Sequence, residues 1–236
     1  MILAYLAGAG LGLATLYMFI PSILTRMIGW GVLRKGHTKH RAAFTFDDGP
    51  HPQYTPRLLD LLKQHQVKAT FFVLGSQAEQ YPELIRRMHR EGHQIGIHNY
   101  EHISNWLMLP GTIRREHLER SADIIESIIG IRPSYYRPPW GLINIFDFFL
   151  RKPYRIALWS LIAGDWSSRV CRTKLRSTLL SQITDGTVVV LHDSGEAPGA
   201  DRNAPYFMLE ALEEVLGQLQ SRDLQFVRLD ELAVHG

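Results

Sequence analysis

The sequence is nearly free of cysteine. Its single Cys171 among 236 residues excludes an intramolecular disulfide, and with it the disulfide framework that marks small secreted domains. Repeats at a fixed long period are absent, and no low-complexity linker divides the chain, so 45% hydrophobic content over this length describes one large single-core domain. Most of the chain also lacks a charge excess. Five of the 26 Lys plus Arg (Arg26, Arg34, Lys35, Lys39 and Arg41) precede the first acid, Asp47, which leaves 21 bases against 23 Asp plus Glu. That balance argues against a nucleic-acid partner. Charge of either sign is missing altogether from Ile2 to Leu24.

A helix over that uncharged run spans about 35 Å, enough to cross a bilayer core, although Pro21 and several glycines weaken it. A cleaved signal peptide is the rival reading. The run is longer than an h-region, no Lys or Arg precedes it and no small-residue cleavage site follows, so a membrane anchor is the expectation. Gly8 and Gly12 form a GxxxG pair that is incidental in a stretch so rich in small residues. The basic residues that follow, with Trp30 suited to the interface, predict attraction to anionic head groups. The expected organisation is a membrane-anchoring helix over 1–25, a basic juxtamembrane arm over 26–40 and a catalytic domain over 41–236. Lys and Arg beside a span favour the cytoplasmic side, which predicts a cytoplasmic domain, with the extracytoplasmic face as the alternative.

From Arg41 onward β-rich runs alternate with longer amphipathic ones. Strands are predicted near "AAFTF", "ATFFVLG", "QIGIHN", "SYYRP", "RIALWSL", "TVVVLHD" and "LQFVRL". Between them, "TPRLLDLLKQHQ" and "PYFMLEALEEVLGQLQ" space leucines for helices, and "YPELIRRMHREGHQ" has proline near its start and Gly92 at its end. This order predicts a parallel α/β arrangement, an open sheet or a barrel, both of which gather functional groups at the C-terminal ends of strands. Those ends carry Asp47 and Asp48, His98 and His102, Arg137, Asp165, and His192 with Asp193. A lone Asp is often a helix cap and a lone His a structural residue, but their recurrence at strand exits is harder to dismiss. His98 and His102 lie four apart, so a helical or helix-like turn would put both imidazoles on one side. Two neutral imidazoles and a carboxylate make a facial site for a divalent metal with positions left open.

"TFDDG" at 45 to 49, "HNYEH" at 98 to 102, "RPPW" at 137 to 140, "DW" at 165 and 166 and "LHD" at 191 to 193 resemble, in order, the five motifs of the NodB-like polysaccharide deacetylases, the family 4 carbohydrate esterases. The resemblance covers roughly residues 41 to 232. It implies a distorted (β/α)7 barrel, here behind an N-terminal transmembrane or membrane-associated helix, that removes acetyl groups from N-acetylated sugars with a divalent metal, zinc first and Co, Ni, Mn or Fe as alternatives. It further implies Asp48, His98 and His102 as metal ligands and Asp47 as the base. His192 becomes the general acid held charged by Asp165, and Arg137 the residue that orients Asp47. Oxyanion and substrate contacts fall to Trp140, Trp166 and Leu191, for which ordinary core packing is an equal reading.

Other residues attract no role: His37, His40, His51, His65, His89, His93 and His117 are expected at surface or structural positions, and Asp193 is expected to support the turn that carries His192. Tyr100 and Glu101 lie between the two histidines, and Glu101 is either an outer partner of the ligands or simply exposed. Asn99 departs from the Ser or Thr common in members that act on polymers. Members with a similar "HNY" segment include enzymes of lipid-linked sugars, such as a deformylase for an aminoarabinose carrier lipid. With the anchor and arm, this predicts an N-acetylated sugar on a polyprenyl phosphate as substrate, with membrane lipid as partner. The alternatives are a peptidoglycan or chitooligosaccharide deacetylase, a deformylase, and a non-catalytic membrane-tethered carbohydrate-binding protein. The last should lack a ligand, the base or the acid, and none is missing.

Overall fold

The computed structural model describes residues 1, 8 and 10–233; the start of the predicted 1–25 anchor (2–7 and 9) and residues 234–236 lie outside the described residues. Eight parallel strands form the centre: β1 Arg41–Asp47, β2 Ala69–Val73, β3 Gln94–Ile97, β4 Tyr135–Tyr136, β5 Arg155–Ile156, β6 Leu161–Ile162, β7 Val188–His192 and β8 Gln225–Phe226. Their order is β5-β4-β3-β2-β1-β7-β6, with β8 paired to β1. The predicted strand "RIALWSL" is therefore two short strands at opposite ends of the sheet. Because β5 and β6 share no ladder among the described residues, the barrel is open on one side, which is the distortion expected of it.

Alternation along the strands sorts side chains into two layers. Ala42, Phe44 and Phe46 of β1, with Phe71 and Val73 of β2 and Val189 and Leu191 of β7, face outward into the main core. Helix Tyr54–Gln64 covers them with Leu58, Leu59 and Leu62, and helix Ala204–Leu219 with Met208, Leu212, Val215 and Leu219, the three-to-four spacing of one buried face. Truncating a buried phenylalanine of this layer costs about 3–5 kcal/mol. Inward lie Ala43, Phe72, Tyr135, Ala157 and Val188, and helix Leu229–Ala233 plugs the lower end of the barrel with Leu229 and Leu232. Thr45, Asp47 and His192 continue the inward rows upward, while at the lower end Thr70 and Gln94 accept the Leu229 and Asp230 N–H groups of the plug (3.0 and 3.2 Å).

The N-terminal helix Gly10–Ile28 is apolar enough, and at 19 residues long enough, to cross a membrane, properties that a signal sequence shares. Its later part lies on the barrel. Pro21, Ser22 and Thr25 are buried, the Ser22 hydroxyl donates to the Ile143 carbonyl (2.9 Å), the Tyr17 hydroxyl donates to that of Met108 (3.2 Å), and the Phe19 ring meets Trp106 at 5.3 Å. The helix ends at Gly29, whose φ of 68° suits glycine. Beyond it the basic arm enters the open side of the barrel. The Leu33 N–H donates to the Ile156 carbonyl (2.9 Å) and the Leu158 N–H to the Leu33 carbonyl (2.8 Å), a parallel bridge alongside β5.

Candidate active site

Asp47 ends β1 and Asp48 follows it, where continued alternation would send the two to opposite faces. Asp48 instead has a φ of 75°, a left-handed conformation rare for a non-glycine residue, and this turn swings both carboxylates into the barrel mouth. Gly49 follows because a Cβ there would collide with the Asp193 carboxylate. Asp193 is buried and accepts a hydrogen bond from the Thr55 hydroxyl, and burial pushes its pKa up to about 7. It thus sits beneath the "DDG" turn.

Arg137 at the end of β4 is fully buried and spends its donors on fixed acceptors. Nη1 donates to Asp47 Oδ1 and Thr45 Oγ1 (both 2.7 Å), Nη2 to the Leu158 carbonyl (3.0 Å) and Nε to that of Ala157 (3.2 Å), while its plane lies 4.1 Å from the Phe72 ring centroid. Burial lowers the guanidinium pKa against the opposing pull of Asp47. One oxygen of Asp47 is therefore fixed and the other is left toward the cleft.

Asp48, His98 and His102 form the metal centre. Their ligand atoms lie within 4.8 Å of one another, and each Nε2 is 3.3 Å from Asp48 Oδ1. Asp48 Oδ1 is buried without a hydrogen bond, an orphaned oxygen that fits a cation. The Arg137 carbonyl accepts from His98 Nδ1 at 2.8 Å, which fixes the tautomer and leaves the Nε2 lone pair for a metal. Burial lowers the His102 pKa to about 4 despite the Asp48 carboxylate, so this imidazole is neutral, as a ligand must be. For Asp48 itself burial acts upward, but the surrounding His98, His192 and His102 imidazoles outweigh it and bring the pKa down to about 2.

The two histidines do not meet through a helical turn. Residues 98–102 form a loop that reverses at Asn99, with a φ of 66°. Asn99 Nδ2 donates to the Ile103 carbonyl (3.0 Å) and Asn105 Oδ1 (3.1 Å), and its Oδ1 accepts from the Tyr136 hydroxyl (2.9 Å). Asn105 Nδ2 donates onward to Asp147 Oδ1 at 2.9 Å, and burial raises the Asp147 pKa to about 7. The amide at 99 thus donates two hydrogen bonds and accepts one from fixed partners, whereas a serine hydroxyl has a single proton to donate.

Across the mouth, His192 ends β7. Asp165 Oδ1 lies 3.0 Å from its Nδ1, and Asp165 Oδ2 accepts its backbone N–H at 2.6 Å. Burial works against a charged His192, but the Asp165 carboxylate outweighs it and raises the pKa to about 10. With Nδ1 engaged, Nε2 is the atom turned to the cleft.

A cleft of about 380 Å³ joins these groups, within the range of small-ligand sites. Trp140 and Trp166 line it, as expected from the resemblance, together with Trp159, Ile162 and Val190. Leu191 is corrected: it is wholly buried in the outer core, because alternation along β7 turns Val190 and His192 inward and Leu191 away. Arg137 and Asp165 stand behind Asp47 and His192 rather than on the cleft surface. Arg26, which sequence reasoning left in the arm, lines the cleft, and its Nη2 donates to the Trp140 carbonyl at 3.0 Å. Nothing in its local sequence distinguishes it from a head-group arginine. The loop Ala197–Ala200 completes the wall and carried no motif signal.

An Asp-His-His cluster between a carboxylate held by arginine and a histidine held charged by aspartate places the protein among hydrolases that work with a divalent metal. Comparison with known proteins narrows that class. The family profile described as polysaccharide deacetylase matches residues 34–145. A peptidoglycan-N-acetylglucosamine deacetylase of Bacillus cereus is 33% identical over 198 residues, covering 83% of this chain and 69% of its own. A chitooligosaccharide deacetylase of a Bradyrhizobium species is 34% identical, with 80% and 88% covered. The longer Listeria monocytogenes peptidoglycan-N-acetylglucosamine deacetylase PgdA is 35% identical, and this chain spans 40% of its length. The crystal structure of the Bc1960 peptidoglycan N-acetylglucosamine deacetylase superposes with a TM-score of 0.78 at 29% identity, over 90% of this chain and 97% of that one. The chain belongs to the polysaccharide deacetylase family, the family 4 carbohydrate esterases, and is a metal-dependent carbohydrate deacetylase.

Proposed function

We propose that the protein removes the acetyl group from N-acetylglucosamine units of a peptidoglycan- or chitin-type saccharide, on a membrane to which its N-terminal helix anchors it. The observation that carries the chemistry is the pair of oppositely prepared groups flanking the metal ligands: Asp47 fixed by Arg137, and His192 fixed by Asp165. The sugar rests on the named relatives, which are peptidoglycan and chitooligosaccharide deacetylases. They support this reading over the polyprenyl-linked one predicted from Asn99 together with the anchor and the basic arm; Asn99 has a structural explanation in the hydrogen bonds that brace its loop.

Asp48, His98 and His102 would hold the divalent metal, and their nitrogen and oxygen donors suit zinc. When bound, it lowers the pKa of water and polarises the acetyl carbonyl. The free oxygen of Asp47 takes the proton of the attacking water. Trp140 offers its backbone N–H to the developing oxyanion. His192 Nε2 protonates the nitrogen, without which an amine is a poor leaving group. Trp140, Trp159 and Trp166 give flat apolar walls against which a sugar ring packs.

The test is amine release by the full-length, detergent-solubilised protein from N-acetylglucosamine oligomers and from polyprenyl-linked N-acetylhexosamine. Turnover of the oligomer, abolished by Asp47→Asn, is expected; turnover of the lipid-linked sugar alone overturns the proposed substrate. Topology bears on the same question. The basic arm favours a cytoplasmic domain, whereas an assembled cell-wall polymer requires an outward one, and digestion of the domain by protease added to intact cells identifies the outward case.

A further inference from the structure

We propose that the catalytic domain does not hang from its anchor but rests on the lipid bilayer, through an apolar platform formed by the loops 105–109 and 143–149 beside the N-terminal helix. The proposal rests on the membrane reading of that helix and is independent of which sugar is cleaved.

The first argument is depth. A bilayer core takes about 20 helical residues, and the described helix Gly10–Ile28 has 19. Within this length the helix already touches the domain: Tyr17 bonds the Met108 carbonyl and meets the Phe146 ring at 5.9 Å, and Phe19 meets Trp106. A span formed by this helix thus carries both loops to the level of the turns before Arg26, below the head groups.

The second argument is composition. At that level the loops present Leu107 (82% exposed), Leu109 (76%) and Phe149 (77%), with Ile145 and Phe146 also exposed. Large apolar side chains concentrated in one patch of a soluble surface mark an interaction site. Leu11, Leu13 and Leu16, exposed on the turns of the helix that precede its packed part, extend the apolar surface. One continuous apolar surface therefore includes the only described helix fit to span a membrane, and lipid is the occupant that covers all of it.

The third is charge. Arg26 stands near the end of the helix, and Arg34 Nη1 donates back to the Arg26 and Met27 carbonyls, so two cations gather where the apolar surface ends, the height of anionic head groups. Arg26 also lines the cleft. The mouth of the active site consequently opens at head-group level, within reach of a saccharide held at the membrane surface.

The experiment is spin-label accessibility in the full-length protein reconstituted into phosphatidylcholine–phosphatidylglycerol vesicles. Labels are placed through Leu109→Cys, Phe149→Cys and, on an exposed helix at the opposite end of the barrel, Ser181→Cys; the native Cys171 is buried. Labels at 109 and 149 should collide with oxygen in preference to a water-soluble nickel chelate, with a ratio at least several-fold above that at 181. Equal ratios at the three positions overturn the proposal. Shielding from both probes, with label–label broadening that vanishes on dilution with unlabelled protein, assigns the platform to a second copy and overturns it too, as does an intact mass showing the helix removed. Deacetylation of soluble oligomer by the same labelled proteins reports folding and the proposed activity separately, so the platform can fail while that activity stands.

Discussion

Replacing Asp165 by Asn removes the charge that raises the His192 pKa to about 10 while keeping a carbonyl oxygen for the His192 backbone N–H. His192 with its partner is almost fully protonated at pH 8. Without the carboxylate its pKa returns to the ordinary value of about 6.5, or lower because of burial, and about 3% remains charged at pH 8. If His192 is the general acid, the alkaline limb of kcat falls from near pH 10 to about pH 6.5, a loss of about 30-fold at pH 8 that shrinks to less than twofold at pH 6. The sign is fixed by the raised pKa: activity carried by the charged form is present below the pKa and lost as pH rises through it. The assay is a pH–rate profile on an N-acetylglucosamine oligomer, with metal content measured in both proteins. A uniform loss at every pH, with the limb unmoved, would refute the proton-donor role and reduce Asp165 to a bracket for the loop.

Chelation should abolish turnover and added zinc should restore it, while Asp48→Asn should weaken metal retention by at least tenfold in equilibrium dialysis. Arg137→Met should cost about 3–5 kcal/mol in denaturant unfolding, because Asp47 is left buried without its partner; a loss below 1 kcal/mol would mean that the pair carries little of the rim. Gly49→Ala should lower the melting temperature through the clash with the Asp193 carboxylate and slow turnover by displacing Asp48, and unaltered kinetics would sink that account. Asn99→Ala strips three hydrogen bonds from the ligand loop, so metal affinity should fall more than global stability, read by metal titration beside thermal unfolding.

The strand runs and leucine spacings were legible because each reports a period, and a period survives without neighbours. The five motifs located the rim residues for the same reason: strand ends are local. Long-range closure was not legible. "RIALWSL" shows no sign that β5 and β6 part to opposite edges, since the open side of the barrel is filled by Leu33 from far upstream. The loop at 98–102 was misread as helix-like because a spacing of four fits a helix, whereas a left-handed asparagine held by Tyr136 and Asn105 gives the same proximity. For Leu191 the motif leaves wall contact and core packing equal, and alternation along the strand decides for the core. Arg26 was invisible because its partner is a backbone carbonyl 114 residues away.

That last contact changes what counts as the enzyme. With Arg26 bound to the Trp140 carbonyl, Ser22 to Ile143 and Leu33 to Ile156 and Leu158, the segment before β1 is a wall and a seam of the catalytic body. A chain trimmed to begin at Arg41, the natural cut suggested by sequence, would lose one side of its cleft and bare the ring of Trp106, which Phe19 covers, and that of Phe148, which Trp30 meets at 4.7 Å. Its poor solubility or weak turnover would then report the cut rather than the chemistry, and grafting this helix onto another barrel would transplant part of an active site along with a tether.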